Sequence, residues 1–255
     1  MIDYHLHVIA HGDRPMTVEN ILEYCEVAKS RGLRQMGVTE HDRYLDKIDL
    51  AAFREAQEKY QDVGLRLGIE IDFVPGAEER MDHDRNALPY DYVIGSVHRV
   101  QGEEVDHPQH QEIYEKLETY ELYERYYANV REAALSGRFD VLGHPDLIKI
   151  FRRFPDADIT PMLEETADAV AESGVVVDVN AAGLRKPVGE VYPSRRLLEM
   201  LHHRGVPIVL SSDAHAPEQV AMGYEKSLRL VYDVGYREVV TFKDRERGTL
   251  PLGSE

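Results

Sequence analysis

The chain has 255 residues, a length that suits one α/β barrel with a sizeable core. Its formal net charge of −17 argues against nucleic acid as a partner, because phosphates repel a surface of that sign. No apolar run approaches the roughly 18 residues of a membrane span and no secretory signal opens the chain, so a cytoplasmic protein without membrane contact is expected. The acidic balance still permits a small phosphorylated ligand, since bound divalent cations reverse the sign inside a cleft. One cysteine, Cys25, leaves no internal disulfide and is expected as a small core residue on a helix.

Short apolar runs alternate with helical patterns along the chain, which predicts βα units and a mainly parallel sheet. The first strand is predicted at about residues 2–7, followed by a helix capped by Thr17 and ended by Gly32. A strand at about 34–40 precedes a helix from Asp49 to about Val63, closed by Gly64. A strand at about 65–72 leads into a loop at about 73–90, long enough to close over a ligand. After a strand at about 91–96 comes the longest helical pattern, from about Gln109 to Gly137. Its tyrosines, Tyr114, Tyr120, Tyr123, Tyr126 and Tyr127, are expected to pack against the barrel with hydroxyls outward, not to form a stacking surface for bases. A strand at about 139–143, a helix from Thr160-Pro161 to Gly174, and a strand at about 175–180 follow. A helix near Ser194 and a strand at about 207–211 complete the pattern. Seven strands are one fewer than a standard barrel has, and nothing divides the chain, so one domain over 1–255 is expected.

Nine residues fall at or just after the ends of these strands: His5, His7, His11, His41, Glu70, His98, His144, Asp213 and His215. In a parallel barrel the carboxyl ends of the strands face one another around a common site. The i, i+2 spacing of His5 and His7 puts both imidazoles on one face of a strand. Imidazole with carboxylate suits zinc, manganese or iron and disfavours magnesium and calcium. Nine candidate ligands exceed the needs of one ion, so two or three divalent ions with a bridging carboxylate are expected. Closely spaced ions can hold an attacking water and the oxygens of a phosphate ester together. His83, His107, His110, His202 and His203 lie in polar or helical surroundings and are expected at the surface.

At His5-Leu6-His7, Thr39-Glu40-His41, Glu70, His98, Gly143-His144 and Asp213-Ala214-His215 the chain resembles the PHP family of polymerase-associated domains and histidinol phosphatases. The resemblance runs in order over essentially the full length and implies a distorted seven-stranded, TIM-like barrel with a trinuclear centre. It implies that His5, His7, Glu70 and Asp213 hold a first ion, and that Glu70 bridges to a second held by His98 and His144. His11, His41 and His215 would hold the third. The segments Gly68 to Gly76, Asp91 to His98, Asn180 to Pro187 and Gly189 to Pro193 look most like the monofunctional bacterial histidinol-phosphate phosphatases. That likeness implies hydrolysis of L-histidinol phosphate to L-histidinol and phosphate in histidine biosynthesis.

Electrostatic stabilisation of charge on the phosphoryl oxygens should dominate such a reaction, and Asp213 or His215 could assist the leaving alkoxide. Arg185, with Lys186 beside it, is the first expectation for a phosphate-binding cation, and Arg152 with Arg153 is the rival pair. Asp72 and Glu190 are candidate partners for the amine and imidazole of the substrate, Asp72 alternatively orienting a ligand histidine. Two other readings compete: a phosphoesterase of the same fold acting on nucleotides or oligonucleotides, and a non-catalytic metal-binding domain. Association into a homo-oligomer is compatible with the sequence.

Overall fold

Branched, apolar segments form seven parallel strands, each hydrogen-bonded to the next in chain order. They are β1 (Ile2–Asp3), β2 (Gln35–His41), β3 (Gly64–Asp72), β4 (Tyr92–Ser96), β5 (Val141–Leu142), β6 (Val176–Asn180) and β7 (Ile208–Ser211). The computed structural model describes residues 1–109 and 111–252. The sheet curls until its first and last strands meet: the Tyr4 amide donates to the Leu210 carbonyl at 3.1 Å and the His7 amide to Ala214 at 2.7 Å. A parallel bridge between Leu6 and Ala214 continues that seam. The result is the expected α/β, TIM-like barrel, nearly closed and surrounded by helices.

Helix starts follow the sequence signals. The Thr17 side chain accepts from the Asn20 amide at 3.2 Å, and that of Asp49 accepts from Ala52 at 2.9 Å. Each cap contributes about 1 kcal/mol. Thr160–Ser173 carries proline in its first turn and ends at Gly174 in the left-handed conformation (φ 69°). The thiol of Cys25 is buried on the helix Val18–Ser30, as expected.

Several local expectations are corrected. The helix after Asp49 spans Leu50–Lys59, and Gly64 opens β3 instead of closing that helix. Its backbone turns extended at Tyr60, which frees Val63 to enter the core as the strand begins. The long tyrosine-bearing pattern is two helices, Ile113–Lys116 and Thr119–Leu135, separated at the extended Leu117. Tyr120 is exposed and does not pack against the barrel. Hydroxyls expected outward turn inward instead: Tyr114 reaches the carbonyls of Val105 (2.8 Å) and Ile148 (3.0 Å), and Tyr123 donates to Arg153 at 2.8 Å. Tyr126 accepts from the Leu147 amide at 3.1 Å, so this helix holds the loop that follows His144. The 73–90 segment contains the helix Glu78–Asp84, and Arg80 fastens it to Asp42 and to the Asp72 carbonyl.

Below the site, the barrel is filled by rings. Tyr92 donates to the Tyr4 carbonyl at 2.7 Å and stacks on the Tyr4 ring at 4.9 Å. That approach requires glycine at two positions: a Cβ at Gly37 would lie 1.7 Å from the Tyr92 hydroxyl, and one at Gly68 would lie 2.8 Å from its Cζ. Phe242 adds a third ring, 5.5 Å from Tyr92. It belongs to an antiparallel hairpin, Glu238–Lys243 with Glu246–Pro251, that the sequence reading did not mark.

Candidate metal centre

Every strand except β6 delivers at least one of the nine candidate ligands to the same end of the barrel. His41 is the last residue of β2 and pairs in register with Glu70 of β3. Glu70, almost fully buried, is the hub. Its Oε2 lies 3.2 Å from His5 Nε2, 3.6 Å from His7 Nε2 and 2.8 Å from His41 Nδ1. Its Oε1 lies 3.2 Å from His144 Nε2 and 3.5 Å from His98 Nε2. Asp213 Oδ1 faces His7 Nε2 at 3.4 Å and His215 Nδ1 at 3.5 Å. Asp213 adopts a left-handed backbone (φ 50°), an uncommon conformation that clusters at functional sites.

These side chains form three overlapping groups whose ligand atoms lie within 4.8 Å of one another: His7, His41 and His215; His5, Glu70 and His144; His5, His7 and Asp213. His11 sits at the exposed edge, its ring stacked 4.5 Å from that of His215. His98 joins through Glu70 and through its ring, 5.0 Å from His144. The structure thus brings together all nine residues, with His11 outermost.

The chemistry of the donor set fits divalent cations. His5 Nε2, both nitrogens of His7, both oxygens of Glu70, His144 Nδ1 and His215 Nε2 are buried without a hydrogen-bond partner. Buried polar atoms normally find partners, because leaving one unpaired costs about 1–3 kcal/mol. Concentrated around Glu70, this set offers the lone pairs of two carboxylate oxygens and one nitrogen of each neutral imidazole, donors suited to metal ions.

In the metal-free chain, protons offset the carboxylate charge. Burial pushes the Glu70 carboxyl up, but His5, His41 and His98 outweigh it and hold it well below the usual range. Asp213 is held low against burial by His5, His7 and His215. Burial disfavours the charged form of His98, yet Asp72 and Glu70 raise it to about 10. His5 is raised well above its ordinary value, against burial, by Glu70, Asp213 and Asp178. His7 and His215 go the other way, the latter to about 4, through burial and neighbouring imidazoles.

The candidate substrate residues are spread more widely. Arg185 is half-buried; its Nη2 donates to the carbonyls of Ser212 (2.8 Å) and Asp213 (3.1 Å), and its buried Nη1 has no partner. Lys186 is exposed beside it. Arg152 and Arg153 are exposed, and Arg153 lies over the Tyr114 ring at 5.4 Å. Glu190 accepts from the buried Lys149 ammonium at 3.1 Å. Asp72 binds His98 Nδ1, which leaves Nε2 of that ring facing Glu70. Of the histidines expected at the surface, His83 and His203 are exposed and His107 and His202 are half-buried, while His110 lies outside the described residues.

Sequence reasoning missed Glu40, Asp178 and Asn180, all buried behind the candidate ligands. Glu40 Oε1 accepts from the amides of Val8 (2.6 Å) and Ile9 (2.9 Å), and Oε2 lies 4.0 Å from His7 Nδ1. The available signal was a polar pair, Asp178 and Asn180, at i, i+2 in an otherwise valine-rich strand.

The chain is similar to known proteins over most of its length. Residues 3–182 match the PHP domain. The chain is 36% identical to a protein of Deinococcus radiodurans described as a probable histidinol-phosphatase, over 96% of this chain and 98% of that one. It is 25% identical to the histidinol-phosphatase of Bacillus subtilis, over 89% and 97% respectively. The crystal structure of the Lactococcus lactis histidinol phosphate phosphatase, complexed with zinc, L-histidinol and phosphate, shares the fold with a TM-score of 0.80 at 19% identity, over 97% and 98%. On the match over most of its length and the Deinococcus likeness, the chain belongs to the PHP family.

Proposed function

We propose that the protein is a metal-dependent phosphomonoesterase that hydrolyses L-histidinol phosphate to L-histidinol and inorganic phosphate. The observation that carries this reading is Glu70: one buried carboxylate turns its two oxygens toward two sets of imidazoles, in a chain similar over nearly its full length to histidinol-phosphatases. Two or three zinc, manganese or iron ions are the proposed cofactors. His5, His7, Glu70 and Asp213 would hold the first, Glu70 with His98 and His144 the second, and His11, His41 and His215 the third. The grouping of His7 with His41 and His215 supports a shared boundary between the first and third positions.

Such ions supply Lewis acidity toward the phosphoryl oxygens and lower the pKa of water toward neutrality. The chain's own residues supply the rest. Arg185 is anchored by Nη2, while its buried Nη1 lacks a partner and would need a small shift of the side chain to meet a phosphate oxygen, with Lys186 nearby. Asp213 and His215 stand at the more open side of the cluster and are held unprotonated in the metal-free chain, so either would take a proton from water and relay it to the leaving alkoxide. Glu190 and Asp72 remain the proposed acidic partners for the amine and imidazole, although each already holds a partner, Lys149 and His98 respectively. Arg152 and Arg153 are the second choice for phosphate. A cytoplasmic setting, a single domain and the absence of nucleic acid belong to this proposal; no helix among the described residues is long and apolar enough to cross a membrane.

The deciding experiment is phosphate release from histidinol phosphate, a nucleoside monophosphate and a short single-stranded oligonucleotide, after chelation and metal add-back. Metal-restored turnover that favours histidinol phosphate is expected. Turnover of the nucleic-acid substrates alone overturns the assignment.

A further inference from the structure

We propose that Asp178 and Asn180 are positioning residues that fix the ring nitrogen His5 presents and the carboxylate orientation of Asp213, joining two metal-binding arms into one unit. The inference rests on the metal-binding part of the proposed function and is independent of the substrate.

Both residues lie on β6, the one barrel strand that contributes no candidate ligand, and both are fully buried. Side chains at i, i+2 on a strand share a face, so both point into the barrel beneath the cluster. Asp178 Oδ2 lies 3.0 Å from His5 Nδ1. A carboxylate only accepts, so Nδ1 carries the hydrogen and Nε2 is the nitrogen left for an ion. That Nε2 is the atom facing Glu70 at 3.2 Å. The other oxygen, Oδ1, accepts from the Ser211 hydroxyl on β7, which fixes the carboxylate plane.

Asn180 connects this pair to Asp213. Its Oδ1 accepts from the Ala182 amide at 2.8 Å, so its amide nitrogen must be the end that faces the two carboxylates. From there Nδ2 lies 3.1 Å from Asp178 Oδ2 and 3.3 Å from Asp213 Oδ2. Held by that oxygen, Asp213 turns Oδ1 toward His7 and His215. Partners of this kind hold a metal ligand in register, and removing one typically weakens metal binding about 10- to 100-fold.

The test is zinc affinity of the metal-stripped protein, read by competition with a chromophoric chelator, beside the thermal melt of the same metal-free sample. Asp178→Asn keeps the shape of the side chain and removes its charge; Asn180→Leu removes the link to Asp213. In both variants the tightest zinc affinity should fall about 10- to 100-fold, with metal-free melting within a few degrees of wild type. Their double variant should lose less than the two single losses combined, because the residues act as one unit. Affinity within twofold of wild type in either folded variant overturns the proposal, as does an effect confined to melting. Should Asp178→Asn fail to fold, Asn180→Leu decides by the same criteria. A wild-type protein that binds no zinc would remove the metal reading and this proposal together. Zinc binding without turnover of histidinol phosphate would remove only the substrate assignment.

Discussion

Asp3 holds Ser212 by two contacts: its carboxylate accepts from the Ser212 amide at 2.9 Å and from the Ser212 hydroxyl at 2.5 Å. The same carboxylate accepts from the Ala221 amide at 2.9 Å. A buried acid at the start of the chain therefore sets the backbone that presents Asp213. Asp3→Ala strands three buried donors and should cost about 3 kcal/mol. Chemical denaturation of the metal-free protein checks this; a loss below about 1 kcal/mol would mean the donors find other partners.

Metal removal should act on activity and stability together. Ions that bind only the folded chain stabilise it by about 2.7 kcal/mol at a free concentration 100 times the Kd. For a chain of this size that corresponds to a melting shift of about 5–10 °C. Chelation should abolish phosphate release and lower the melt by that amount, and zinc or manganese should restore both. An unchanged melt after verified metal loss would contradict the buried, multi-ligand geometry.

The protonation pattern gives the pH dependence a sign. In the metal-free chain His98, raised to about 10, and His5, raised well above its ordinary value, carry protons at neutral pH. An ion needs those imidazoles neutral, so binding releases protons and apparent affinity rises with pH. Between pH 6 and 8 zinc affinity should increase about tenfold or more per unit, with proton release visible to an indicator dye in weak buffer. A flat profile would show that no proton leaves these imidazoles when zinc binds.

Arg185 and its rivals separate kinetically. Loss of a charge-assisted contact to phosphate costs about 2–3 kcal/mol. Arg185→Ala should therefore lower kcat/KM for histidinol phosphate about 100-fold, with metal content unchanged. Lys186→Ala, Arg152→Ala and Arg153→Ala should each change it only a few fold. A larger loss from Arg152→Ala or Arg153→Ala would move the phosphate contact to the other loop.

His98→Ala should leave the fold intact and reduce turnover by orders of magnitude, since Glu70 Oε1 then keeps only His144 on its side. Near-native turnover, measured with full circular dichroism signal, would count against the hub role of Glu70.

The convergence of the candidate ligands was legible because each ends an apolar run, and strand ends meet in a parallel barrel whatever their distance in sequence. His5 and His144 are far apart along the chain, yet their rings stand 5.7 Å apart. Asp178 and Asn180 were hidden for the opposite reason: inside a valine-rich strand, nothing local says that a polar residue faces a ligand and not a core hydrogen bond. The C-terminal hairpin escaped because its turn, Asp244-Arg245, reaches positive φ at both positions without the glycine or asparagine that usually marks it. The break at Leu117 carries no proline or glycine, so periodicity ran straight across it.

The stacked rings of Tyr4, Tyr92 and Phe242 give the barrel a solid floor. If the proposed cations occupy the cluster, an arriving ester and a departing phosphate would both pass the rim where Asp213 and His215 are partly exposed. Inhibition by inorganic phosphate, competitive with the ester, is the natural outcome of such a vestibule. The lower half, hairpin included, serves as a foundation that can be reinforced without reshaping what enters above.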